Sequence, residues 1–137
     1  MQIGEEDPSG ANIIEAAATE FWLDGQLSCP CCPIFLKDDN SKCWTVSYDD
    51  EYHKWRVDLD KLDYPIVGTK QGDDHMLWRE VELTGSKSIV GNKIISFKEI
   101  FSERAREAIV LFANGSTLNF KHNFETERSE YNVLIGD

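Results

Sequence analysis

A chain of 137 residues with 41% hydrophobic side chains, among them four Trp, four Tyr and seven Phe, can bury a core without staples and is not disordered. Its formal net charge of −11 excludes the basic footprint that direct nucleic-acid binding requires. The charge is one-sided: residues 1–75 carry 16 acidic and 6 basic side chains, residues 76–137 carry 9 and 8. Such a field can steer a basic partner.

No apolar run approaches the roughly 20 residues of a membrane span, and the acidic N-terminus lacks the basic start of a signal peptide. A soluble, cytoplasmic protein forming one domain over residues 1–137 is expected, with residues 1–10 polar and frayed. The Asn114-Gly115-Ser116 sequon is then incidental, because that modification belongs to secreted chains.

In chain order, Asn12-Ile-Ile-Glu15 reads as a capping box. Ile14, Ala17, Ala18 and Phe21 follow at helical spacing and Gly25 supplies a stop, which predicts a helix over about 12–24. Residues 27–43 read as an irregular Cys/Pro loop. Trp44, Val46 and Tyr48, then Trp55, Val57 and Leu59, alternate with polar residues as two strands, with Asp49-Asp50-Glu51 in the turn between them. Residues 60–75 read as a long loop. Leu77, Val81 and Leu83 mark another strand, as do Lys93 to Ile100, and Tyr131, Val133 and Ile135 mark the last.

The strongest structural signal is Asn114-Gly115 between two apolar runs. A two-residue type I′ loop there sets Leu111 opposite Leu118, Ile109 opposite Phe120 and Glu107 opposite His122. The rival is a helix capped at Ser96-Phe-Lys-Glu99, with Phe97, Phe101, Ala105, Ala108 and Phe112 on one stripe. Ile109-Val110 is β-branched and favours the hairpin. The fold expected from all of this is α+β, an N-terminal helix packed on a curved, mostly antiparallel sheet of about five to seven strands.

The cysteines come first among groups that carry chemistry. Cys29-Pro-Cys31-Cys32 holds one C-x-x-C spacing, and Cys43 and His53 follow singly. A structural zinc site usually takes a second paired knuckle, so reduced, metal-free thiols are expected, with zinc on Cys29, Cys32, Cys43 and His53 as the alternative. The run is similar to that of small bacterial cysteine-rich modules, which continue with a second C-x-x-C pair absent here. No family is carried over from it.

Asp58-x-Asp60-x-x-Asp63 and Asp38-Asp39 lack the glycine and closing glutamate of a calcium loop and read as a solvated face. No nucleophile elbow, phosphate loop, dinucleotide fingerprint or His-Glu-x-x-His stretch is present, so catalysis by an unrecognised site ranks behind binding. The expected function is that of a small non-enzymatic protein, without a cofactor, that neutralises a basic partner such as a toxin or a nucleic-acid-binding enzyme. Its expected contact residues are Asp38, Asp39, Asp49, Asp50, Glu51, Asp58, Asp60, Asp63, Asp73 and Asp74, with Tyr52, Tyr64 and Trp78 as aromatic anchors.

Overall fold

The computed structural model describes residues 7–60, 67–68, 70–72 and 75–136. They form eleven strands: β1 (Asn12–Leu23), β2 (Gln26–Cys29), β3 (Ile34–Asp38), β4 (Cys43–Asp49), β5 (Lys54–Asp60), β6 (Lys70–Gly72), β7 (Met76–Glu82), β8 (Asn92–Phe101), β9 (Ala105–Phe112), β10 (Thr117–Asn123) and β11 (Arg128–Leu134). A short 3-10 turn, Ser86–Ser88, is the only helical element among the described residues. The expected α+β fold is therefore corrected: the architecture is nearly all β, with more strands than foreseen and no N-terminal helix. Among the described residues, no helix is long and apolar enough to cross a membrane.

The segment expected to be a helix is the strand to which the rest is attached. Ile13, Ile14, Thr19, Phe21 and Trp22 favour a pleated backbone over a helix. The turn that follows decides the matter. Asp24 and Gly25 both have positive φ, 50° and 80°, and leave Leu23 facing Gln26, which is a two-residue type I′ hairpin. Ala17 and Ala18 pair with Phe35 and Ile34 of β3 on one edge and with Glu82 and Val81 of β7 on the other. Beyond them, Asn12 and Ile13 meet β8, and Phe21 to Leu23 lie between β2 and β7. A strand covered on both faces needs an unbroken run of small apolar residues, and Ala16, Ala17 and Ala18 are all buried. That run mimics a helical stripe.

Every strand pair is antiparallel, in the order β11-β10-β9-β8-β1-β3-β4-β5, with β2, β7 and β6 branching from β1. The two ends of this order meet. Trp55 of β5 packs on Phe120 of β10, ring centroids 5.1 Å apart, and its indole N–H donates to the Arg106 carbonyl of β9 at 2.9 Å. The sheet therefore folds over on itself. Inward residues of β3–β5 (Ile34, Leu36, Val46, Val57) and of β8–β10 (Ile94, Val110, Phe112, Leu118) form one core between the wings. Register shifts in β1 and between Ile94 and Ser96 of β8 supply local bends of the kind that let a sheet turn this sharply.

The hairpin reading of residues 108–122 is correct and the helical rival is not, but its register is one residue out. Gly115 N–H donates to Phe112 O and Phe112 N–H to Ser116 O, both at 2.9 Å, and Gly115 sits at φ 87°. This is a three-residue loop, a type I turn closed by a left-handed glycine, rather than the two-residue type I′ loop. Leu118 thus faces Val110, and Phe120 faces Ala108. A one-residue slip exchanges the faces of a strand. Val110 and Phe112 go into the core, while Ile109 and Leu111 stay half-buried on the other side. His122 faces Arg106, not Glu107.

The expected irregular loop over 27–43 contains β2 and β3. Its Cys/Pro connection is strapped to β1 by Cys32 N–H donating to Thr19 O at 3.0 Å and Thr19 N–H donating to Pro33 O at 2.9 Å. Within the expected loop 60–75, β6 pairs with β7. Residues 1–6, 61–66, 69, 73, 74 and 137 lie outside the described residues, and so does any test of the frayed terminus over 1–6.

Candidate functional site

At one end of the fold, where the β4–β5 wing meets the β10–β11 hairpin, lies an open pocket of about 690 Å³. One wall is the β2–β3 connection with Cys29, Cys31 and Cys32. The facing wall holds Tyr48 from the end of β4, Asp50 and His53 from the β4–β5 turn, and His122, Glu127 and Ser129 from the β10–β11 hairpin.

His122 is the centre of this site. Strand alternation after Leu118 and Phe120 turns it inward, and only 4% of its surface is exposed. Its ring lies flat on that of Tyr48, centroids 3.7 Å apart and planes 9° from parallel. His122 Nδ1 lies 2.8 Å from Ser129 Oγ, its cross-strand register partner, and Nε2 lies 3.4 Å from Glu127 Oε2. Donor atoms of Asp50, His122 and Glu127 all fall within 4.8 Å of one another. Two proton arrangements fit these contacts. With the proton on Nδ1, the imidazole donates to Ser129, and its Nε2 lone pair then faces the Glu127 carboxylate acceptor to acceptor, an arrangement that calls for a cation between them. With it on Nε2, the ring donates to Glu127 and can accept from the Ser129 hydroxyl.

Burial holds the Tyr48 phenol above its ordinary pKa; the Arg106 charge opposes it, and Asp50, Glu127 and Asp49 push upward. The Tyr48 hydroxyl is shielded from solvent and has no hydrogen-bond partner among the described residues. The Arg106 guanidinium is held between Phe101 and Phe124, 5.1 and 4.8 Å from their centroids, and donates to His53 O at 3.1 Å and to Ser102 O.

The cysteines do not stand as expected. Cys29 and Cys32 are joined in a disulfide, which corrects the expectation of reduced thiols for this pair. Its sulfurs cannot act as thiolate ligands in this state, so the alternative zinc set of Cys29, Cys32, Cys43 and His53 is not assembled. Cys43 stands at the opposite end of β4 from His53. Cys31 is buried, and desolvation, helped by the charge of Glu130, pushes its thiol up to about 12 from 9.0. The folded protein then keeps a proton that the unfolded chain gives up above about pH 9. This contribution to stability is full below that pH and falls by about 1.4 kcal/mol per pH unit until about pH 12. Urea midpoints at pH 8 and pH 10 should therefore separate more for the native chain than for Cys31→Ala; equal separations would contradict the assignment.

Among the described residues, the expected contact residues do not form one cluster. Asp38 is buried and holds the β3–β4 turn together, so its place in a contact surface is withdrawn. Asp39 is exposed beside it and accepts from Asn12 Nδ2 at 3.2 Å. Asp49 accepts the amides of Glu51 and Tyr52 and pairs with Arg56, which also reaches Asp58. The two acidic turns cap opposite ends of the seven-residue β4, roughly 20 Å apart. Asp50 lines the pocket; Glu51 and Tyr52, the last 69% exposed, follow it in the same turn. Trp78 lies on the β7 branch against Phe21, at 5.0 Å. Asp60 is placed on β5 by its backbone only; Asp63, Tyr64, Asp73 and Asp74 lie outside the described residues.

Sequence reasoning missed Tyr48, His122, Glu127 and Ser129 as a group. The available signal was the polar stretch 123–130 between two alternating runs, which is a hairpin turn that brings Ser129 back beside His122. No protein-family model, no curated protein and no solved structure matches this chain.

Proposed function

We propose that this chain is a small non-enzymatic binding protein that captures a basic partner protein through the pocket and its rim. One observation carries the reading: the carboxylates of Asp50 and Glu127 stand within 4.8 Å of each other beside the stacked Tyr48–His122 pair in an open pocket, while the Arg106 guanidinium is engaged by two rings and backbone carbonyls. A lysine or arginine side chain of a partner could enter there, with the exposed Tyr52 as an aromatic contact at the edge. The strongly acidic N-terminal half supports the same sign of partner. Toxin neutralisation or imitation of nucleic-acid charge are the two biological forms this takes. The contact is narrower than the thirteen residues expected from sequence.

Affinity capture from the native host, followed by association kinetics with the captured protein, tests the proposal. A basic partner is expected, and reversing both charges (Asp50→Lys with Glu127→Lys) should slow its association at low salt by about 10-fold or more. Added salt should shrink that difference by screening. A rate indifferent to salt and to both reversals would overturn the reading.

A further inference from the structure

We infer that the same pocket holds a divalent transition-metal site, with zinc as the best-fitting ion, ligated by Asp50, His122 and Glu127. This goes beyond partner binding and does not depend on it. A tetrahedral zinc ion with bonds of about 2.0–2.1 Å keeps its donor atoms about 3.3–3.4 Å apart. His122 Nε2 and Glu127 Oε2 are already at 3.4 Å. Asp50 lies on an exposed turn, and one donor atom each of Asp50, His122 and Glu127 lies within 4.8 Å of the others, so closing the set asks for a movement of the exposed Asp50 side chain by about 1–2 Å. One imidazole and two carboxylates leave a fourth position open toward the pocket, and the two negative charges balance the ion.

The imidazole is held as a metal ligand requires. In metal sites the second nitrogen of a ligating histidine donates to an outer partner, which fixes the tautomer and aims the first nitrogen. Ser129 Oγ stands 2.8 Å from His122 Nδ1 and can accept that hydrogen bond, while Tyr48 fixes the ring plane. Mixed nitrogen and oxygen donors of this kind suit zinc better than calcium or magnesium, which favour all-oxygen shells. The site uses none of the cysteines, so the disulfide and the metal can coexist.

Isothermal titration of zinc chloride into the oxidised protein tests this, with calcium chloride as the comparison. One zinc per chain is expected, with calcium at least 100-fold weaker. Asp50→Asn and Glu127→Gln alter exposed side chains and should keep the native circular dichroism. Each should weaken zinc at least 10-fold, and the pair together should abolish it. Ser129→Ala should weaken it about 10-fold through loss of the orienting bond. The double variant Cys29→Ser with Cys32→Ser should bind zinc as the native chain does. Absence of binding, binding unchanged in the Asp50/Glu127 double variant, or loss of binding on removing the cysteines would each overturn the inference. Zinc and a partner's lysine or arginine compete for Asp50 and Glu127, so capture of a basic protein is measured separately, on zinc-free protein, and a failure to bind zinc leaves that capture intact.

Discussion

Trp55→Ala should lower the free energy of unfolding by about 3–5 kcal/mol, enough to leave the chain marginal at 25 °C. The indole is 1% exposed and stands where the two wings of the sheet close on each other. Its ring packs on Phe120 and on the edge of Tyr48, centroids 5.1 and 5.4 Å away, and its N–H serves the Arg106 carbonyl. Truncation removes both contacts at once and opens a cavity between strands that are not neighbours in the sheet, so the backbone cannot easily collapse to fill it. Trp55→Phe keeps most of the area but loses the hydrogen bond, and should cost clearly less. Urea denaturation measures both. A loss below about 1 kcal/mol for the alanine variant would mean that the wings do not depend on this contact.

The second large effect is expected at Asp38, which sequence reasoning gave to a partner and the fold uses for itself. Its carboxylate accepts the amides of Asn40 and Lys42 at 2.8 and 2.9 Å through one oxygen, and the Trp44 indole N–H at 3.1 Å through the other. Asp38→Ala leaves three donors without their acceptor, one of them on a buried ring. A charged acceptor with this many partners is worth about 3 kcal/mol. Asp38→Asn should fall between, because only one of its two terminal atoms can accept. Asp39→Ala, one residue away and exposed, should change stability by less than about 0.5 kcal/mol. Similar losses at 38 and 39 would show that the buried network is not what holds this turn.

Local alternation gave the strands of the second half of the chain and the 43–60 hairpin, most plainly at β5, β9 and β10, where buried residues alternate with less buried ones and a period of two is written into the residues. It failed at β1 for the opposite reason. A strand packed on both faces has no alternation to read, and Ala16-Ala17-Ala18 satisfies a helix as well as it satisfies a crowded sheet centre. Asp24-Gly25 was the available correction, and a capping-box pattern twelve residues earlier outweighed it. At Asn114-Gly115 the turn was visible but its length was not: Ser116 accepts from Phe112, and that one extra residue moves the whole facing set. Of the site, Asp50 was legible as part of an exposed acidic turn. The His122 cluster was not, since it depends on the fold-over that brings β4 against β10, and nothing within either strand encodes that meeting.

The position of β1 also has a consequence for synthesis on the ribosome. Domains form as they emerge, and local pairings close before distant ones. The Asp24-Gly25 hairpin and then β3 can dock on β1 soon after it appears, but its other long edge is completed only by β7 and β8, much later in the chain. Until then the nascent protein presents an Ala-rich strand with one row of amides and carbonyls unmatched, which is a template for foreign strands. The period of greatest exposure to misassembly therefore runs from the release of β3 to the release of β8, and it ends when the chain supplies the strands that cover its own first one.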